Sequence, residues 1–372
     1  MSRNTPLGFY EFFAGGGMAR LGLGDGWDCL YANDFDGLKA ATYRANHPDA
    51  EDHFRQGDVW QVAPADLPGR ADLAWASSPC QDFSLAGARA GLTGGRSSAF
   101  FGFWKLVEAL NAEGRAPRTI VVENVVGLLT SHGGKDFEAL CRALAGQGYR
   151  FGALEIDAAR FAPQSRPRVF VIASREAPAA RLGRCDFHTK AVVEARERLP
   201  ADLKVSWAWW NLPAPPTRNT DLSALLEDDE TVAWQSAADT RRLLEQMTPA
   251  HRARLEDDRG RTVGAVYRRT RAGVPQAEVR TDGLAGCLRT ARGGSSRQSI
   301  VVTRNGEVRS RLLTPREGAR LMGLPETYVL PKGSTAAFHV IGDGVAVPVV
   351  RWLAAHLLEP LLRDSVTTLA AE

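Results

Sequence analysis

The chain has 372 residues, 44% hydrophobic and 24% charged, a globular composition that excludes a disordered or fibrous polymer and favours two domains over one. Five cysteines (Cys29, Cys80, Cys141, Cys185, Cys287) are odd in number and scattered without paired metal-ligand spacing, so they indicate neither a disulfide framework nor a zinc or other metal site. The formal charge is only +3, but sixteen arginines against seven acidic residues between Arg241 and Arg311 give that segment +9, the pattern of a polyanion-binding surface. A general preference for arginine on solvated faces is the competing explanation of the last feature.

The first residues lack the apolar core of a signal peptide, and no uninterrupted apolar run reaches a bilayer span. The expected setting is a soluble, cytoplasmic one without a membrane partner. Residues 7–13 alternate and then run apolar, three glycines follow, and Met18, Ala19, Leu21 and Leu23 begin a helical spacing. This predicts a strand, a glycine turn and a helix whose free N–H groups face a ligand. The turn lacks the G-x-G-x-x-G spacing of dinucleotide sites, which disfavours a nicotinamide-dependent oxidoreductase. A second strand over residues 28–32 leads to Asp34, a carboxylate placed to accept from ribose hydroxyls. A third strand end over residues 55–59 carries Asp58, an acceptor for an adenine amino group, with Phe35 and Val59 available for the ring faces. Each of these residues, met singly, is as readily an N-cap or turn residue.

Residues 71–76 read as a buried strand that stops at Ser77-Ser78-Pro79, so Cys80 sits just past a strand end, where an α/β sheet exposes reactive groups. A thiol there is a candidate nucleophile, although a lone cysteine is also an ordinary small buried hydrophobe. Gln81 adds an amide, and the Gly/Ser/Ala-rich stretch to Ser98 suits a moving lid. A helix over residues 99–111 leads to a β-branched strand over 119–122 closed by Glu123, an acid whose burial is costly unless it has a function or a partner. A helix over 135–146 and strands near 151–156 and 169–173 follow, the last preceded by Gln164, Arg166 and Arg168. The alternation up to about residue 174 predicts an α/β fold with a doubly wound, mostly parallel sheet.

Beyond residue 175 the alternation decays. Three tryptophans, a proline-rich stretch and an acidic segment read as a linker into an irregular, smaller β-rich domain. Asn305-Gly306 joins extended runs over 299–304 and 307–313 as a hairpin. Thr314-Pro315 starts a short helix to residue 322, and a long apolar helix is expected over 345–362. The expected domains are 1–180 (catalytic and cofactor-binding), 181–312 (linker and target recognition) and 313–372 (returning to the catalytic domain).

FAGGG, ANDFD, GDV, PCQDFS, ENV, QSRPR, LTPREGARLMGLPETY and GDGVAVPVV, in that order, resemble the blocks of the DNA (cytosine-5) methyltransferase family across nearly the whole chain. The resemblance implies a Rossmann-like class I fold, S-adenosylmethionine as cofactor, and methylation of a flipped-out cytosine in a short sequence of double-stranded DNA. It assigns Cys80 as nucleophile, Glu123 to ring nitrogen 3 and the exocyclic amine, and Arg168 to the base's carbonyl oxygen, with Arg166 supporting the site. Phe13, Ala14, Gly15, Gly16 and Gly17 cradle the cofactor, Asp34 takes its ribose, and Phe35, Asp58 and Val59 its adenine. Pro79, Asp343 and Val345 complete that set. Gln81, Ser84, Arg96, Arg289, Arg292 and Arg297 are the expected DNA contacts. Where the family usually has G-N-[SA]-V, this chain has Gly342-Asp343-Gly344-Val345. The carboxylate either adds attraction for the cofactor's cationic sulfur or alters cofactor preference or rate. A restriction-modification enzyme, with a separate cognate endonuclease, or an orphan methylase acting as a monomer is the expected setting. A tRNA methyltransferase of the same fold, lacking here its Cys-Phe-Thr block, and a silent DNA-binding regulator rank below it.

Overall fold

The computed structural model describes residues 5–78, 99–255, 260–271, 273–290 and 297–363. The chain divides into two compact units. The first comprises Met1–Ile156, Pro167–Pro215 and Val349–Glu372, and the second Asp157–Arg166 and Pro216–Pro348.

The first unit is built on a seven-stranded sheet of order β3-β2-β1-β4-β5-β7-β6. Its strands are β1 (Leu7–Phe12), β2 (Trp27–Asp34), β3 (Phe54–Gln56), β4 (Leu73–Ala76), β5 (Thr119–Val125), β6 (Arg150–Asp157) and β7 (Pro167–Ser174). The pairs β1–β2, β2–β3, β1–β4 and β4–β5 are parallel, whereas β7 runs antiparallel to β5. The winding reverses between β1 and β4, so the carboxyl ends of these two strands flank the point where open α/β sheets bind ligands. Val121, Val122, Ile172 and Ala173 have no exposed surface. They form the apolar centre expected of strands buried on both faces.

Residues 181–215, read from sequence as leading out of this domain, lie with the sheet. Phe151 N–H donates to Ser206 O and Ala208 N–H to Phe151 O, at 2.9 and 2.7 Å, covering the edge strand β6. Trp210 is fully buried and its Nε1 donates to Ile172 O at 2.8 Å. The decay of periodicity in the sequence reflects an irregular cover on the sheet edge, which needs no repeating pattern.

The second unit holds a four-stranded sheet of order β11-β10-β8-β9, from β8 (Arg261–Arg271), β9 (Val274–Arg280), β10 (Ser299–Arg304) and β11 (Glu307–Leu312). All its pairings are antiparallel. The Asn305-Gly306 hairpin forms with Arg304 opposite Glu307, and both turn residues have positive φ, 52° and 79°. One face buries Val266, Ala277, Val279 and Val301 with Leu243, Met247 and Leu255. The helix Pro315–Leu321 is capped by Thr314 in a reciprocal box with Glu317, whose carboxylate also holds the buried Arg311 guanidinium at 2.5 and 2.8 Å. Among the described residues, one helical stretch, Ser334–Arg363, has the length and hydropathy of a membrane span, with 61% of its window buried. Gly344 is extended and breaks it, so the last helix begins at Val347 rather than Val345.

Candidate active site

At the end of β1 the backbone turns sharply. Phe13 has φ +58°, Gly15 +59° and Gly17 +77°, conformations that cost a residue with a Cβ free energy and that glycine adopts freely. Ala14 N–H donates to Asn33 O at 3.0 Å, and Gly15 N–H to Asp34 Oδ2 at 2.8 Å. Asp34 also takes Asp36 N–H on Oδ1 at 2.8 Å, and burial raises its pKa. Each carboxylate oxygen keeps lone-pair capacity beyond these bonds, so Asp34 shapes the turn and can still accept from a ligand hydroxyl. Beside it, Phe35 is 76% exposed, a large apolar ring left open to water.

Asp58 caps the short turn Val59–Gln61 by accepting Trp60 N–H at 3.0 Å. Val59 is buried, lying where a Cβ on Gly102 would meet it at 2.8 Å. Of the pair expected at an adenine ring, only Phe35 is therefore open.

Three residues to which sequence reasoning gave no role lie at this edge. Asn33 is buried and its Nδ2 donates to Arg55 O and Gly57 O, both at 3.0 Å, tying β2 to the turn before Asp58. His47 packs under the glycine turn so closely that a Cβ on Gly17 would lie 2.1 Å from its Nε2, and burial lowers its pKa to about 4. Glu11, 1% exposed, has its pKa raised to about 8, mainly by burial and opposed by Arg20, and its Oε2 has no hydrogen-bond partner. A polar residue inside an apolar strand, as Glu11 is in LGFYEF, was the available signal.

On the other side of the switch point, β4 runs into Ser77 and Ser78. Asn124 Nδ2 donates to Ser78 O at 3.0 Å and to its Oγ at 3.3 Å, fixing the backbone that leads to Cys80. Pro79, Cys80, Gln81, Ser84, Arg96 and the expected lid lie outside the described residues, as does Arg292. On β5, Glu123 is 6% exposed and its Oε1 lies 3.2 Å from Arg168 Nε. The register that sets Val125 opposite Arg168 brings this pair together. A buried carboxylate beside a guanidinium at a strand end offers acceptor and donor to one planar ligand.

Gln164, Arg166 and Arg168 of QSRPR separate. Arg168 joins Glu123 in the first unit. Gln164 and Arg166 belong to the second and are buried there, with 0% and 2% exposure. Arg166 donates to Leu288 O at 2.9 Å, Gly342 O at 2.9 Å and Gly344 O at 2.7 Å. Gln164 donates to Leu321 O and accepts Leu288 N–H, at 3.0 and 3.1 Å. Arg166 is thus a positioning residue for the segment carrying Asp343 and Val345. Val345 is buried, and Asp343, with 41% of its side chain exposed, lies 4.0 Å from His339 Nδ1. Arg289 is exposed, and Arg297 lies half-buried with its guanidinium 5.4 Å over the Phe338 ring. No cluster of three metal-ligating side chains occurs among the described residues.

The model of the C-5 cytosine-specific DNA methylase family matches residues 7–359. The Type II methyltransferase M.HhaI of Haemophilus parahaemolyticus is 26% identical over 360 residues, covering 95% of this chain and 94% of that protein. The Type II methyltransferase M.HpaII of Haemophilus parainfluenzae is 26% identical over 371 residues, covering 95% and 89%. Among solved structures, the S. pombe Dnmt2 methyltransferase superposes with a TM-score of 0.61 at 18% identity, covering 95% of this chain and 99% of that one, which shows a shared fold. Because the family match runs from β1 to the last helix and takes in the glycine turn, the Glu123–Arg168 pair and the segment that Arg166 holds, the chain belongs to the C-5 cytosine-specific DNA methylase family and is a DNA cytosine-5 methyltransferase.

Proposed function

We propose that the chain methylates carbon 5 of a cytosine flipped out of a short specific sequence in double-stranded DNA, through a covalent adduct on Cys80 and with S-adenosylmethionine as methyl donor. The glycine turn, the Asp34 carboxylate and the open Phe35 ring fit a ligand with a diol and an aromatic base. Phe13 to Gly17, Asp34, Phe35 and Asp58 would hold it, together with Pro79. When bound, the cofactor supplies an electrophilic methyl group.

The chain's own residues prepare the base. Carbon 5 of cytosine is a weak nucleophile, and a thiolate from Cys80 adding to carbon 6 turns the ring into an enamine. Glu123 accepts from the exocyclic amine and supplies a proton to ring nitrogen 3, where the electron pair displaced by the addition arrives, and Arg168 donates to the carbonyl oxygen, so charge developing during the addition meets fixed partners. Once carbon 5 carries the methyl group, loss of its proton restores the 5,6 double bond and expels Cys80 from carbon 6 as thiolate. Carbon 6 is out of reach in a stacked duplex, which is why the base must leave the helix. The observation that carries this reading is the buried Glu123–Arg168 pair at the end of β5, beside the strand that Asn124 anchors just ahead of Cys80. The chain acts as a monomer in the cytoplasm, with or without a cognate endonuclease.

Bisulfite sequencing of plasmid DNA from cells expressing the protein, beside a Cys80→Ala control, tests this. Protected cytosines in one short motif, lost in the control, are expected. Absence of protection from folded protein that binds S-adenosylmethionine overturns methylation of DNA as the reaction.

A further inference from the structure

The second unit carries most of the arginine excess, and the structure sorts those side chains by what already holds them. Arg311 is buried on Glu317, Arg280 forks onto Asp282 at 2.8 and 2.7 Å, and Arg254 donates to Val279 O at 3.1 Å. These are structural. Arg269 on β8 is different: 54% of its side chain is exposed, yet it is not loose.

Its Nε lies 3.8 Å from Oε2 of Glu278, a carboxylate only 13% exposed, and its guanidinium carbon sits 4.9 Å over the Tyr267 ring. Tyr267 and Glu278 face each other in the β8–β9 register. Tyr267 and Arg269 are two residues apart on one strand, and so share a face. The acid lies on the Nε side at ion-pair distance and the ring lies against the plane. Among the described residues, neither terminal nitrogen of Arg269 has a hydrogen-bond partner, so the outer edge of the fork is available. A phosphate contact needs only a charge near the backbone. A planar fork set in place by a carboxylate and an aromatic ring matches the paired O6 and N7 acceptors of guanine in the major groove.

We propose that Arg269 is a specificity-determining residue that reads one guanine of the recognition sequence, presented by Tyr267 and Glu278. This rests on the reading of the chain as a DNA-specific enzyme. Arg268, its exposed neighbour, lies on the opposite face by strand alternation and serves as the comparator.

The test selects duplexes from a randomised library with the purified full-length protein, then measures binding to the selected sequence with each G·C pair replaced in turn. Wild type is compared with R269A, R269K, E278Q and R268A. R269A is expected to lose about 5- to 150-fold of discrimination at one G·C position and keep it elsewhere. R269K, which keeps the charge without the fork, fails to restore it, E278Q loses part, and R268A retains the preference. Unchanged preference in folded R269A and R269K overturns the proposal, and so does equal weakening on every duplex, the mark of a phosphate contact. Because binding is the readout, a wild-type protein that selects a sequence without methylating it defeats the catalytic reading while still testing Arg269. A wild-type protein that selects no sequence defeats this inference.

Discussion

At the residue scale, Glu123 shows how little of a site a motif specifies. A glutamate closing an apolar strand was legible as costly, but its partner is Arg168, forty-five positions away by numbering and adjacent only because β7 runs antiparallel to β5. Glu123→Gln keeps the shape and removes the charge. The methylation rate is expected to fall about 10²- to 10⁴-fold with duplex binding retained, measured by single-turnover kinetics and by binding on the same protein. Glu11 carries a different prediction. Its folded pKa, about 8, lies above the ordinary carboxylate value, so the native state binds its proton more tightly than the unfolded chain. The stability this contributes is full below the unfolded pKa and is lost as pH rises towards 8. Glu11→Gln, permanently neutral, should gain stability relative to wild type by up to ~1.4 kcal/mol per pH unit between about pH 5 and 8, read from urea midpoints.

At the element scale, the turns were the most legible parts. Asn305-Gly306 and the Thr314 to Glu317 box carry their geometry in their own residue types, because positive φ and capping are local requirements. The glycine turn was legible as a turn, but the reason for glycine at position 17 was not, since it includes the His47 ring beneath it. Asp343 ends the helix Ser334–Asp343, where a carboxylate meets the negative end of the helix dipole. Asp343→Asn is therefore expected to stabilise the protein by ~0.3–1 kcal/mol, measured by thermal unfolding. Cofactor titration of the same variant separates the two readings of this position. Weaker binding in the variant supports added attraction for the cationic sulfur, and unchanged binding with a changed rate supports the alternative.

At the scale of the whole molecule, the first unit is closed at the pole opposite its site. Arg118, just before β5, holds Asp72 at 2.9 Å, forks onto Glu176 at 2.8 and 2.9 Å and donates to Leu362 O at 2.7 Å. One side chain thereby ties the segments before β4 and after β7 to the last helix. Arg118→Ala leaves two half-buried carboxylates without their partner. It should cost about 2 kcal/mol of stability, reduced from the fully buried case for solvent screening. Its kcat at a temperature where the variant remains folded should stay near wild type, since Arg118 and Glu123 sit at opposite ends of β5. The sequence by itself determined the succession of strands up to β7, the turn chemistry and the residues able to do cytosine chemistry, because periodicity, capping and residue type are local properties; it did not show the helix Gly37–Asn46 between β2 and β3. Only the tertiary structure decided that residues 181–215 cover β6, and that QSRPR sends Arg168 to Glu123 but buries Gln164 and Arg166 on carbonyls up to 178 positions away. Those outcomes depend on which distant backbone groups need a donor, and spacing along the chain carries no record of that.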